Sequence, residues 1–405
     1  MITPKQYSKL ADAAYKVDIQ KQYNPVRETA NKSRSVITTA SQNFKVIKTV
    51  DTNDKTNSKG YADNGFQAMA VAPVVNGHVD RSQTIIAYAG TNAQDPSTHD
   101  LRADFYNVVV GEKGKDTQFA SATQFYQAVS KMKDVKVVSA TGHSLGGALA
   151  QKIAAKYHIP AVTFSTAGVG KQLTDEEKQW LRGPGKNLVL NYMHLGDQIP
   201  SSTNAKEFGT ALYAIDFSDG SLFSGHQLGS YQFDNSGNLF VKPSVASEYS
   251  NIITTQGLDN LKKIMKKFEK SGGALTTGQK QFLDEYESLT LVTGMQVLVA
   301  SELKSLEMMY EKSIDEAQEL WSNADAAARL IGIDLAEYER LSILDSGGVS
   351  KTTIETKPTT KYHQKIAKVK AVIKDYTDLT SKITAAIRHQ VETDQALAAQ
   401  IKGWL

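Results

Sequence analysis

The stretch from Val135 to Tyr157 limits the folds open to this chain more than any other. Val135–Ala140 is a short β-branched run, "TGHSLGGALA" (Thr141–Ala150) follows directly, and an alanine-rich helical pattern continues to Tyr157. Such a run reads as a buried strand, so the chain must turn from strand to helix within a few residues. Gly142 and Gly146 frame Ser144 in a G-x-S-x-G pattern, with His143 and Leu145 between them. By itself the pattern arises by chance in roughly one chain in ten of this length; the flanking strand and helix give it meaning. A strained strand-to-helix elbow lifts its serine out of the sheet. Glycine at 142 and 146 leaves room where a side chain would strike the neighbouring strand or helix, and the Leu145 N–H, at the start of the helix, can face a developing oxyanion.

The surrounding sequence alternates in the same way. Phe66–Val75 and Ser82–Ala89 read as strands around the turn Asn76-Gly77-His78. Gln118–Met132 reads as a helix, and Ala161–Ser165 and Leu188–Met193 as further strands. The polar segment Asp51–Gly65 reads as a loop. This order predicts an α/β fold with a mostly parallel sheet covered by helices. A chain of 405 residues exceeds one typical core. Eight of its nine prolines lie at or before Pro243, and around Ser250 the composition turns to Lys/Glu/Ala/Leu-rich stretches. The reading is therefore two domains, residues 1–250 (α/β) and 251–405 (elongated, all-α). In the second, Val292, Met295, Val299, Leu303, Leu306, Tyr310, Ile314, Ala317 and Trp321 form one helical stripe. Ile366, Val369, Ile373, Tyr376, Leu379, Ile383, Ile387 and Val391 form another. Each stripe implies about 45 Å of helix. They are expected to pack on each other, the alternative being a stripe that docks a separate helical partner. Ser346–Thr360 reads as a connector.

A serine needs a base to take its proton, and eight histidines are available. His143 lies inside the elbow and should point away from Ser144; His158 ends the elbow helix; His78 sits in a hairpin turn; His363 and His389 lie in the helical part. His99 precedes Ser144, and His194 comes too early for the order Ser, acid, His. His226 remains. Between Ser144 and His226, Asp175 opens a charged helix and Asp216 and Asp219 lie in a turn. Asp197 directly follows a strand, and loops at the carboxyl ends of parallel strands are where such sites assemble. Asp197 is therefore the expected acid. A second oxyanion donor is expected from Thr91, at the end of "AYAGT" (Ala87–Thr91), with Asn92–Asp104 as a lid that Asp100 and Asp104 anchor.

Composition narrows the function. The net charge of +3 supports neither a nucleic-acid partner nor an electrostatic membrane surface, and with no cysteine there are no disulfides and no thiolate ligands. No apolar run reaches ~18 residues, and no apolar segment of signal-peptide type follows the N-terminus. The expectation is a cytoplasmic protein or one exported without a cleaved signal.

These motifs resemble those of the class 3 lipases of the α/β-hydrolase superfamily. "TGHSLGGALA" is similar to that family's elbow, "AYAGT" to its oxyanion strand, "GDQIP" (Gly196–Pro200) to its acid segment and "GHQLGSY" (Gly225–Tyr231) to its histidine segment. The family often has arginine where Ala89 stands. The likeness spans roughly residues 60–235. It implies Ser144, Asp197 and His226 as a triad, Thr91 and Leu145 as the oxyanion hole, hydrolysis of lipid acyl esters, and no metal or cofactor. The domain order resembles that of reversed LXG-type lipase effectors of Gram-positive type VII secretion, and Leu330-Ile331-Gly332 spells an L-x-G. That likeness implies a secreted phospholipase toxin acting at a membrane surface, small helical partners on its C-terminal domain, and an immunity protein. Two other readings stand beside it: an intracellular esterase that oligomerises through its helices, and a helical interaction protein carrying an inactive hydrolase domain.

Overall fold

The structure, a computed structural model, describes all residues except 1, 40–41, 92–115, 216–223, 271–273, 395–396, 398–400 and 402–405. It divides into two compact units. The first is Met1–Val241 with two short later segments beginning at Lys266 and Asp394; the second is Lys242–Met265 and Ala274–Thr393. Ser250, where the composition changes, lies within a helix spanning Pro243–Lys270.

Among the described residues the first unit is built on a nine-stranded sheet: β1 (Val36–Thr38), β2 (Asn43–Asp51), β3 (Gln67–Val75), β4 (His78–Val79), β5 (Thr84–Tyr88), β6 (Val137–His143), β7 (Ala161–Phe164), β8 (Val189–His194) and β9 (Thr210–Ala214). The spatial order is β1-β2-β3-β5-β6-β7-β8-β9, with β4 paired to β3. From β5 to β9 every pairing is parallel, as the sequence order implies. From β1 to β5 every pairing is antiparallel. The physical reason is the connections. Asn76 and Gly77, at φ of 49° and 78°, close a tight hairpin between β3 and β4, and no crossover helix separates β2 from β3 or β3 from β5.

Helices cover both faces of the sheet. Strand β6 alternates sides: Ala140 and Gly142 face the helix that follows the elbow, whereas Ser139, Thr141 and His143 face α1 (Pro4–Tyr15). Pro4 and a Thr3–Gln6 capping box start α1, and Leu10, Ala11 and Ala14 are buried on it. Tyr7 donates to Ser139 Oγ at 2.8 Å, fixing α1 along β6. After α2 (Lys32–Ser35), α3 (Gln118–Ser130) and α4 (Leu145–Tyr157) pack on the other face. Ala148, Leu149, Ile153 and Ala154 of α4 share a core there with Ile86, Tyr88 and Phe125. Two shorter helices follow, α5 (Asp175–Arg182) and α6 (Gln198–Ser202).

The second unit is all-helical, with α7 (Pro243–Lys270, up to Met265), α8 (Thr277–Ile331), α9 (Glu337–Ser346) and α10 (Lys357–Thr393). Helix α8 runs for 55 residues, about 80 Å at 1.5 Å per residue, well beyond its apolar stripe. A Thr276–Gln279 capping box starts it and no proline interrupts it. It crosses α7 closely at two glycines: a Cβ on Gly257 would lie 2.3 Å from Thr290 Cγ2, and one on Gly294 2.1 Å from Thr254 Oγ1. It pairs with α10 through stacked Tyr310 and Tyr362 and a 3.1 Å Glu307–Lys370 ion pair. The stripes are only partly buried. Ile314, Ala317, Ile366, Val369 and Ile387 are core, while Met295 and Leu379 are exposed. The expected connector at Ser346–Thr360 is shorter than its composition suggests. A π-turn covers Thr352–Thr356 and leads into α10, whose first turn accommodates Pro358. No helix among the described residues is long and apolar enough to cross a membrane.

Candidate active site

The elbow forms where the strand-turn-helix pattern places it. β6 ends at His143, α4 begins at Leu145, and Ser144 between them has φ 57° and ψ −127°, a backbone conformation that is strained for a side-chain-bearing residue. Both framing glycines are sterically required. A Cβ on Gly142 would lie 2.3 Å from the Gly146 backbone, and one on Gly146 would lie 2.3 Å from the Tyr88 carbonyl oxygen. Gly147 is equally confined, against Thr166. The Ser144 carbonyl accepts the Gly147 and Ala148 N–H groups, and its side chain makes no cap hydrogen bond and stays available.

Ser144 Oγ lies 3.1 Å from His226 Nε2, and His226 Nδ1 lies 3.1 and 3.0 Å from the two Asp197 oxygens. A carboxylate only accepts, so the His226 proton sits on Nδ1 and the Nε2 lone pair faces the serine. Asp197 follows β8 through a turn at Gly196 (φ 94°) and caps α6 by accepting the Ile199 N–H at 3.1 Å. Burial opposes its charge. The hydrogen bond and charge of His226, the Ser165 hydroxyl and the Ile199 N–H outweigh burial and hold the carboxyl below its usual range. The structure thus brings Ser144, Asp197 and His226 into one hydrogen-bonded line at the carboxyl ends of parallel strands. Thr91 directly follows Gly90 beyond β5, and a Cβ on Gly90 would lie 3.2 Å from Ser144 Cβ, so the end of that strand borders the serine. Leu145, buried, opens α4.

The remaining candidates separate from this line. Asp175 is exposed at the start of α5 beside Lys178, and His158 caps α4 in a left-handed conformation and stacks on Trp180. His194 is buried with Nε2 2.9 Å from Ser230 Oγ. His99, Asp100, Asp104, Asp216, Asp219 and the whole of the expected lid lie outside the described residues. Among the described residues no cluster of three or more metal-ligating side chains occurs.

Sequence reasoning missed two residues behind the acid. Ser165 directly follows β7 at φ 43° and is fully buried, and its Oγ lies 2.7 Å from Tyr231 Oη. The same hydroxyl supports the Asp197 carboxylate. "GHQLGSY" already contained Tyr231, but nothing in the spacing linked it to residue 165.

Comparison with known proteins places the chain in a family. Over 83 residues, a fifth of the chain, it is 36% identical to the Candida glabrata protein named "Putative lipase ATG15", and the matched stretch spans 16% of that protein. A phospholipase-like family model, the Tle-like phospholipase domain, matches residues 6–229. That span runs from α1 through His226 and covers more than half of the chain, so the chain belongs to the Tle-like phospholipase family and carries a hydrolase domain of the lipase and phospholipase type.

Proposed function

We propose that this protein hydrolyses acyl esters of phospholipids through an acyl-enzyme formed on Ser144. The observation that carries the proposal is the Ser144–His226–Asp197 line within a phospholipase-like domain. Ser144 Oγ attacks the ester carbonyl carbon while His226 Nε2 takes its proton. The oxyanion is met by the backbone N–H groups of Leu145 and Thr91, with the Thr91 hydroxyl beside them. Collapse breaks the bond to the lysolipid oxygen, which receives the proton from His226. Water then repeats the cycle on the acyl-enzyme and frees the fatty acid. Asp197 keeps the Nδ1 tautomer and stabilises the imidazolium. Purified protein incubated with phosphatidylcholine, phosphatidylglycerol and triglyceride emulsions, with products weighed by mass spectrometry, tests this. Lysophospholipid and free fatty acid that vanish with Ser144→Ala are expected; cleavage of triglyceride alone would reassign the substrate.

The helical unit fits delivery of such an enzyme to a target membrane by secretion without a cleaved signal. Leu330, Ile331 and Ile333 are 80–87% exposed near the end of α8, a surface suited to small helical partner proteins. An immunity protein would then guard the producing cell. Detection of the protein in culture supernatant supports this reading, and strictly intracellular protein favours the oligomerising esterase.

A further inference from the structure

His143, the residue before the nucleophile, has both ring nitrogens engaged. Its Nε2 lies 2.6 Å from the His226 carbonyl oxygen and its Nδ1 lies 2.8 Å from Tyr15 Oη. The partners dictate where the protons are. A carbonyl oxygen can only accept, so Nε2 carries the hydrogen. A neutral imidazole has one N–H, so Nδ1 is the acceptor and the Tyr15 hydroxyl donates to it. The ring is neutral: burial, reinforced by the charge His226 can carry, pushes the His143 pKa down to about 3. The Tyr15 oxygen lies against Gly90, whose backbone partly offsets the rise that burial gives the hydroxyl's pKa. The approach is close enough that a Cβ on Gly90 would lie 2.5 Å from it.

The three groups so tied are the end of the oxyanion strand, the elbow, and the loop carrying His226. We infer that Tyr15 and His143 are positioning residues for the acyl-transfer site: with Tyr15 packed against Gly90, the directed chain of Tyr15 O–H to His143 Nδ1 and His143 Nε2–H to the His226 carbonyl sets the distance between His226 Nε2 and Ser144 Oγ. The His143 and His226 rings lie 4.8 Å apart between centroids, and neither Tyr15 nor His143 is hydrogen-bonded to Ser144 Oγ or His226 Nε2, which pair with each other. Their effect is to hold a base in the turn Ser224–His226 at 3.1 Å from the elbow serine, where misplacement by 1 Å can cost on the order of 10²-fold in rate. The arrangement also gives α1 a catalytic purpose, since Tyr15 is its last residue.

The inference rests on Ser144 being the nucleophile, and the test separates the two claims. Full-length Tyr15→Phe, His143→Leu, His143→Gln and Ser144→Ala proteins are assayed on a soluble p-nitrophenyl ester. Histidine ¹⁵N spectra of wild type and Tyr15→Phe are recorded across pH 5–8. Tyr15→Phe and His143→Leu should each lower kcat about tenfold or more with KM changed less than about twofold. His143→Gln, whose amide can donate to the same carbonyl, should recover much of the loss. One histidine should remain in the neutral Nε2–H form throughout, and its Nδ1 resonance should move in Tyr15→Phe. The inference is overturned if Ser144→Ala is inactive while Tyr15→Phe matches wild type, if Gln does no better than Leu, or if the non-titrating histidine carries its proton on Nδ1. Should His143→Leu not fold, Tyr15→Phe and the spectra still decide. Full activity in Ser144→Ala would remove the nucleophile assignment itself, leaving the spectra to judge the hydrogen-bonded chain alone.

Discussion

Ser144 is a nucleophile only while His226 Nε2 faces it unprotonated, and the side chains around the pair maintain that state. On the proposed mechanism Ser144→Ala should lower turnover by about 10⁶ without lowering the melting temperature, because the hydroxyl enters every cycle and caps nothing. Asp197→Asn should cost less, about 10⁴, since the amide can still cap α6 but no longer enforces the His226 tautomer. Steady-state kinetics beside thermal melts check both, and equal losses would contradict the division of roles. Thr91→Val should lower kcat by roughly 10² with KM little changed, because an oxyanion exists only near the transition state; a raised KM at constant kcat would make Thr91 a substrate contact. His143 gives a pH prediction. Its folded pKa of about 3 lies below the ~6.5 of an unfolded histidine. The unfolded chain therefore binds a proton that the native state, with Tyr15, His226 and Asp197 around the ring, does not. Stability is complete above pH ~6.5 and is lost as pH falls from there toward 3. Melting temperatures measured from pH 8 to 4 should decline below ~6.5, and His143→Gln should flatten the first part of that decline.

The elbow works as an element because strand, turn and helix are mutually exclusive of side chains where they meet. Gly142 faces the start of α4 and Gly146 faces the Tyr88 carbonyl, each with backbone at 2.3 Å from a would-be Cβ. Backbone cannot rotate away as a side chain can. Gly142→Ala or Gly146→Ala should therefore destabilise by about 3 kcal/mol or more. Denaturant unfolding measures it, and a melt within a degree of wild type would show that the turn relaxes. Helix α1 is the second element that matters. Its apolar side buries Leu10 and Ala14, and its end delivers Tyr15 to the elbow.

As a whole molecule the chain divides into two units. Every residue placed at the site lies before Val241, and the parallel sheet has its own core. Removing residues after about Ser250 should leave a soluble domain that still cleaves esters. The first unit also includes the later segments beginning at Lys266 and Asp394, so that fragment should melt at a lower temperature than the full chain. An insoluble or inactive fragment would mean that the sheet depends on those segments.

By itself the sequence determined whatever depends on local pattern. The buried strand before Ser144, the alanine helix after it and the glycine at 142 are dictated by side-chain period and by steric limits on one turn that act within ten residues, whereas the glycine at 146 also answers to the Tyr88 carbonyl on the neighbouring strand. His226 and Asp197 were reachable because chain order and strand ends restrict where a base and an acid can stand, and four short segments resemble those of a lipase family. The hairpin turn at residues 76–78 announced the antiparallel run of β3 and β5, but β1 and β2 were not legible, since they carry no turn signal that says which neighbour they pair with. Nor were α1's role, Ser165 behind the acid, or Tyr15 against His143. Tyr15 and His143 are 128 residues apart and meet only because α1 packs along β6. Such contacts are set by which faces bury each other, and no period or spacing in a single chain records that choice.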